Sequence, residues 1–205
     1  PTRRSSDLRG MIALKIALTG THGVGKTTLA NALVPRFVTS GYASVSMTPE
    51  VPRIICALAH DPTFYRRGKN NALKQALLLY GQLQYEQSSA PRSDGLLVCD
   101  RSVLDHWAYT RHFFAEEFAA EGVLDLYEAL IAEYCKTYSR LFYIPIEFPP
   151  IDDGTRESDV IFQAEIDKTI TRFLSTHLIP HVTVTGTVLE RCSSIEEELT
   201  SLARK

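Results

Sequence analysis

Cysteine is scarce in this chain and is never paired in sequence. Cys56, Cys99, Cys135 and Cys192 are scattered, with no C-x-x-C pair among them. That argues against a disulfide framework or a zinc cluster and for a reduced, cytoplasmic protein. The histidines His60, His106, His112, His177 and His181 also lack metal-ligand spacing. Neither sign of charge dominates: 22 Lys and Arg face 24 Asp and Glu, a formal net charge of −2. The polybasic signature of a nucleic-acid or membrane-surface partner is therefore missing. No apolar run approaches the roughly 20 residues of a membrane span, and no signal-peptide core is present. Internal repeats, low-complexity stretches and domain linkers are absent too. Pro1–Leu8 is polar and without periodicity, and Met11 immediately precedes an apolar run. Residues 1–10 are accordingly read as a disordered or non-native leader, and residues 11–205 as one domain, monomeric or homodimeric.

What is present is concentrated in one octapeptide. Residues 20–27 read Gly-Thr-His-Gly-Val-Gly-Lys-Thr, which fits the phosphate-loop pattern G-x-x-x-x-G-K-S/T without a mismatch. The apolar run Ile12–Thr19 before it reads as a buried strand, and Thr27–Val34 after it reads as a helix start. Strand, glycine loop and helix are the context that the motif requires. A triphosphate concentrates negative charge, and successive loop N–H groups at a helix N-terminus form a concave anion site. Gly20, Gly23 and Gly25 let the backbone curl without a Cβ in the way. Lys26 supplies a mobile charge for the β- and γ-phosphates, and the Thr27 hydroxyl suits Mg²⁺. Thr21, His22, Val24 and Thr28 complete the expected nucleotide-binding stretch. The His22 side chain, at a variable loop position, is expected to point to solvent. A chance glycine turn is the plain alternative, and motif plus context outweigh it.

Short apolar strands are expected at Ile12–Thr19, Ala43–Thr48, Gly95–Cys99, Leu141–Ile146 and Val182–Thr185, as in a parallel sheet covered on both faces. Helical spacing lies between them. In Asn71–Ser88, Leu73, Leu77, Tyr80 and Gln84 recur, with Ala76 and Leu83 beside them. In Glu116–Tyr138 the stripe is Phe118, Leu124, Tyr127, Leu130, Ile131 and Tyr134. In Asp159–His177 it is Ile161, Phe162, Ile166, Ile170, Phe173 and Leu174. Ser193-Ser-Ile-Glu196 reads as a capping box opening the last helix. The alternation argues for an α/β fold with right-handed crossovers.

Ligands of open α/β sheets bind beyond the carboxyl ends of the strands, and polar groups gather at those positions. Asp100 directly follows an apolar strand, where a carboxylate can hold Mg²⁺ facing Thr27; a helix N-cap is the bland reading. Arg101 beside it could clamp phosphate, or form a surface ion pair. Glu50, after the second strand and before Val51-Pro52, is the best candidate to accept a proton from an acceptor hydroxyl. Arg53 could fix a substrate group or be structural. Pro145–Ser158 is irregular and carries Asp152, Asp153, Gly154 and Arg156. It reads as a lid whose Arg156 closes over the γ-phosphate, or as an ordinary connection. Gln82 and Tyr85 share one helix and are taken as substrate contacts. Tyr65, Tyr80, Tyr85, Trp107 and Tyr109 could stack on a base, although core or helix packing is the commoner fate of each.

With these residues in place the chain resembles P-loop kinases of the nucleoside and nucleotide type. It looks closest to the AAA-type ATPase/kinase domain shared with bacterial nicotinamide riboside kinases. The carriers are Gly20–Thr27, Glu50, Asp100-Arg101-Ser102 and Asp152-Asp153-Gly154-Thr155-Arg156. The Asp-Arg-Ser string is similar to the Glu-Arg-Ser of deoxynucleoside kinases. The resemblance implies a three-layer sandwich around a five-stranded parallel sheet of order 2-3-1-4-5. It also implies that Asp100 serves Mg²⁺, Arg101 serves phosphates and Glu50 is the base. The expected function is ATP- and Mg²⁺-dependent transfer of the γ-phosphate to a small nucleoside, ribosyl compound or nucleotide. Two alternatives stand beside it. One is a non-catalytic ATP or GTP switch, although the guanine-specifying Asn/Thr-Lys-x-Asp string is absent. The other is a kinase acting on a modified base in a polynucleotide, against which the near-neutral charge argues.

Overall fold

Five strands lie side by side, all parallel, in the order β2-β3-β1-β4-β5. They are β1 (Leu14–Thr19), β2 (Val45–Thr48), β3 (Leu96–Asp100), β4 (Arg140–Tyr143) and β5 (Val182–Thr183). The helices are α1 (Lys26–Thr39), α2 (Val51–Leu58), α3 (Ala72–Ser88), α4 (Val103–Ala119), α5 (Val123–Cys135), α6 (Val160–Thr176) and α7 (Val188–Leu202). The computed structural model describes residues 13–61, 64, 71–91, 94–119, 122–149 and 159–202. Tyr65 and the string Asp152–Arg156 lie outside the described residues.

The strands are apolar throughout because both faces of the sheet are covered. Successive side chains alternate between the two layers, as the pleat demands. Ile16, Leu18, Leu96, Val98 and Phe142 pack with Leu29, Leu33 and Phe37 of α1 and Ile195 and Leu199 of α7. Ala17, Leu97, Cys99, Leu141 and Tyr143 pack with Leu104 and Trp107 of α4, Ile131 of α5 and Ile166 and Phe173 of α6. Each fully buried Leu or Ile stabilises the fold by about 1.5–3 kcal/mol. Pairing registers Leu18 with Asp100 and Thr48 with Cys99. The carboxyl ends of β1, β2 and β3 therefore finish at one edge, where the phosphate loop begins.

The expected sheet order is the observed one, and several local expectations need correction. β3 runs on to include Asp100, and β4 stops at Tyr143. The single helix expected over Glu116–Tyr138 is two. Gly122, with φ +64°, sits before α5 in a conformation that ends any continuous helix. The capping box of α7 lies six residues earlier than expected: the Thr187 N–H donates to Glu190 Oε2 at 2.7 Å, and the Glu190 N–H donates back to Thr187 Oγ1 at 3.3 Å. In α3 the helical spacing holds, but its apolar stripe faces outward. Leu73 is 70% exposed, Leu77 43% and Tyr80 62%, while Gln75, Leu78, Gln82 and Glu86 are buried. The inner face of α3 is mixed: Leu78 is buried and Leu79 and Leu83 pack on the core, while Gln82 and Glu86 meet polar groups. Among the described residues no helix is long and apolar enough to cross a membrane.

Candidate functional site

The turn between β1 and α1 is built by glycine. Gly20, Gly23 and Gly25 take φ of +152°, +76° and +90°. A Cβ on Gly20 would stand 2.5 Å from the Ile144 carbonyl oxygen, so only glycine fits where the loop passes β4. Lys26 opens α1 and folds its buried ammonium back over the loop. Nζ donates to the carbonyls of Gly20 and Thr21, the latter at 2.6 Å, and lies 3.8 Å from Asp105 Oδ2. Asp105, on the first turn of α4, is fully buried; its Oδ1 accepts from Thr19 Oγ1 at 2.5 Å and from the Gly20 N–H at 3.1 Å. One carboxylate thus pins the start of the loop and faces its lysine.

His22 does not point to solvent. It is buried, shares a hydrogen bond with the Tyr109 hydroxyl at 2.9 Å, and packs on Phe162 with ring centroids 5.1 Å apart. The backbone oxygen of His22 accepts from Gln163 Nε2 at 2.9 Å. An aromatic wall from α4 and α6 takes the imidazole because the loop turns that position toward it. Tyr109 therefore braces the loop.

Glu50 caps α2 and is 8% exposed. Its Oε1 accepts from Arg101 Nη2 at 2.8 Å. Its Oε2 accepts from Arg53 Nε at 2.7 Å and from Thr27 Oγ1 at 3.3 Å. Three elements far apart in sequence meet on this carboxylate: the phosphate loop, the end of β2 and the end of β3. Burial works against the Arg101 charge, but Glu50, with Tyr109, Asp105 and Asp100 behind it, more than restores it, and the guanidinium is held above its ordinary pKa. Burial pushes the Asp100 carboxyl up, Glu50 adds to this, and Arg101 and the Thr27 hydroxyl oppose it. His106, one turn into α4, is buried. Burial first, then the charges of Arg101 and Lys26, pull it down to about 3, so it is neutral at working pH.

A divalent cation suits this corner. The buried Asp100 Oδ1 has no hydrogen-bond partner among the described residues, and the Thr27 hydroxyl stands beside the same carboxylates. Hard oxygens of this kind, completed by phosphate and water, are what Mg²⁺ takes. Gln82 is fully buried; its Nε2 donates to Glu86 Oε1 at 2.9 Å and to the Arg101 carbonyl at 3.2 Å. Tyr85 is half-buried on the same helix and makes no side-chain hydrogen bond among the described residues.

Sequence reasoning missed the residues that brace the far side of the loop. Arg191 of α7 is buried and donates through Nη1 to the Val24 carbonyl at 2.9 Å and through Nε to the Gly186 carbonyl at 2.8 Å. Its Nη2 pairs with Glu147, whose carboxylate also accepts from the Gly186 N–H at 2.9 Å. A lone arginine in the last helix carries no sequence signal for this. Asp105 had one, an acid one helical turn past Asp-Arg-Ser. The Gly186 N–H and then Arg191 hold the Glu147 carboxyl below its ordinary value, and the Thr187 N–H and hydroxyl do the same for Glu190. A depressed native pKa contributes stability that is present above the unfolded value, here 4.5. That contribution is lost as the pH falls through the lower native value. Urea unfolding from pH 7 to pH 3 should therefore show a shallower loss of stability below about pH 4.5 in Glu147→Gln than in the parent. Parallel curves would remove Glu147 from this role.

The sequence profile of a family described as an AAA domain matches residues 15–191. No curated protein sequence matches the chain. Among solved structures, a NadR protein in complex with NR superposes with TM-score 0.62 at 15% identity, over 90% of this chain and 48% of that one. The chain therefore spans about half the length of that protein. A thymidylate kinase from Ehrlichia chaffeensis gives TM-score 0.59 at 10% identity, over 92% of this chain and 100% of that one. A deoxyadenosine kinase from M. mycoides with bound dATP gives TM-score 0.59 at 15% identity, over 91% and 100%. The shared property is the fold, that of P-loop kinases.

Proposed function

The chain belongs to the AAA_28 family of AAA domains, and on that premise we propose that it is an ATP-dependent phosphotransferase acting on a small hydroxyl-bearing acceptor. A nucleoside, a ribosyl compound or a nucleotide is the class of acceptor that its kinase-like neighbours suggest. The observation that carries this reading is the convergence on Glu50. A binding loop alone needs no carboxylate reaching from the end of β2 to both Thr27 and Arg101.

In this reading the loop amides from Gly20 to Thr28 cradle the ATP phosphates at the start of α1. Lys26 leaves the Gly20 and Thr21 carbonyls to meet the β- and γ-phosphates. Thr27 and Asp100 would hold Mg²⁺, which neutralises charge developing on the phosphates. Arg101 and Arg156 stabilise the transferring group with planar, fixed donors. Glu50 orients the acceptor hydroxyl and takes its proton. Arg53 and Tyr85 line the acceptor side, and Gln82 has its Oε1 left to offer, an atom without a partner among the described residues. Exclusion of water limits hydrolysis.

The test is ATP consumption by the purified protein with Mg²⁺ against nucleosides, ribosides and nucleoside monophosphates, the products resolved by mass. One acceptor phosphorylated well above background hydrolysis is the expected result. Tight ATP binding with no acceptor-dependent product from any of them would overturn the reading.

A further inference from the structure

Arg101 holds φ at +97°, a left-handed backbone conformation that a side chain of its size rarely adopts. Such a turn persists only where its surroundings over-determine it. Here four contacts do so. Before it, the Asp100 N–H donates to Thr48 Oγ1 at 3.0 Å. At Arg101 itself, the carbonyl accepts from Gln82 Nε2 at 3.2 Å. After it, Ser102 Oγ donates to Thr19 Oγ1 at 3.0 Å, and the Val103 N–H donates to the Tyr138 hydroxyl at 3.1 Å.

Two of the four grips lead to one carboxylate. Glu86, 1% exposed, accepts at Oε1 from Gln82 Nε2 and from the Tyr138 hydroxyl, both at 2.9 Å. Its Oε2 accepts from Lys15 Nζ at 3.1 Å and from the Tyr134 hydroxyl at 3.0 Å. A buried carboxylate is costly unless its lone pairs are satisfied. Four donors satisfy this one, and Lys15 is itself held by Thr137 Oγ1 at 2.7 Å and lies over the rings of Tyr134 and Tyr138. Lys15 stands near the start of β1, whereas Arg101 follows the end of β3. The network thus reaches back along the sheet from the active edge.

We propose that Glu86 is a positioning residue for Arg101: through Gln82 and Tyr138 it keeps the turn from Asp100 to Val103 in its strained form. Its catalytic consequence rests on the phosphate-side role proposed above for Arg101; the positioning itself does not. Gln82 and Tyr138 transmit the constraint because each joins Glu86 to a different backbone atom, the Arg101 carbonyl oxygen before Ser102 and the Val103 N–H after it.

Tyr138→Phe removes one oxygen and keeps the ring, and Glu86→Gln removes the charge. Amide hydrogen exchange in the unliganded protein is the direct readout. Val103 exchange should rise about tenfold or more in both variants, with β1 amides within about twofold of the parent. A stability cycle with Arg101→Gly is the second readout, since glycine accepts this φ without strain. The loss of unfolding midpoint caused by Tyr138→Phe should be clearly smaller in the Arg101→Gly background. Unchanged Val103 exchange, or equal losses in the two backgrounds, overturns the proposal and leaves the network a plain core contact. If Glu86→Gln does not fold, Tyr138→Phe alone decides. Where the parent protein transfers phosphate, both variants should lose turnover with KM for ATP nearly unchanged. If the parent transfers none, the kinase reading fails, and exchange and cycle still decide the role of Glu86.

Discussion

Replacing Lys26 with alanine is expected to cut acceptor-dependent turnover by roughly 10²–10³-fold or more, the range seen when a preorganised donor to developing charge is removed. The residue sits where the loss is concentrated. Its ammonium is buried, held by the Gly20 and Thr21 carbonyls and faced by Asp105. These partners hold a full charge at the loop until phosphate takes the place of the two carbonyls. The same burial has a cost for the variant. Two carbonyls lose a donor and a buried carboxylate loses its cation, which destabilises by about 1–3 kcal/mol. Lys26→Met, which keeps most of the aliphatic stem, separates the two effects. Steady-state kinetics beside a thermal melt is the check. Near-normal transfer by a folded Lys26→Ala protein would remove the phosphate clamp from the mechanism.

The phosphate loop was legible because it is written locally, whereas the sheet order came only from the family resemblance that the loop and the strand-end residues carry. A continuous apolar strand, glycines at fixed offsets and a Lys-Thr pair need no tertiary information. Strand ends were less so, since where β3 stops depends on its partners, and Asp100 pairs with Leu18 inside the sheet. The outward apolar stripe of α3 shows a different limit. Spacing gives a helix its faces, but not which of them meets the protein. The polar pair Gln82 and Glu86 is buried because the Arg101 carbonyl and the Tyr134 and Tyr138 hydroxyls wait for it. His22 follows the same logic, since its direction is set by Tyr109 and Phe162, residues 87 and 140 positions away along the chain. Asp100, Arg101 and Glu50 could be nominated from their places after strands. That Glu50 touches both Thr27 and Arg101 needed the fold.

Glu50→Gln separates a kinase from a nucleotide-dependent switch. Glu50 accepts from Arg101, Arg53 and Thr27. An acceptor hydroxyl therefore has to share this carboxylate with its donors or displace one of them. A neutral amide keeps nearly the same shape, but it cannot take the proton, and its NH₂ meets donors where an oxygen had accepted. Acceptor-dependent transfer should fall by about 10²–10⁴-fold, the usual worth of a positioned general base. The Arg101–Glu50 pair is buried on both sides, and breaking such a pair costs about 3–5 kcal/mol. The variant is therefore compared at low temperature with saturating Mg²⁺-ATP, which stabilises the folded state by mass action. The affinity for ATP should stay within about threefold, because its phosphates are held by the loop amides and Lys26 rather than by Glu50. Loss of transfer with retained ATP affinity is what the kinase reading requires. Retained transfer would move the base to another residue. Equal loss of ATP affinity and activity would mean that the convergence on Glu50 serves nucleotide binding alone, as a switch would need.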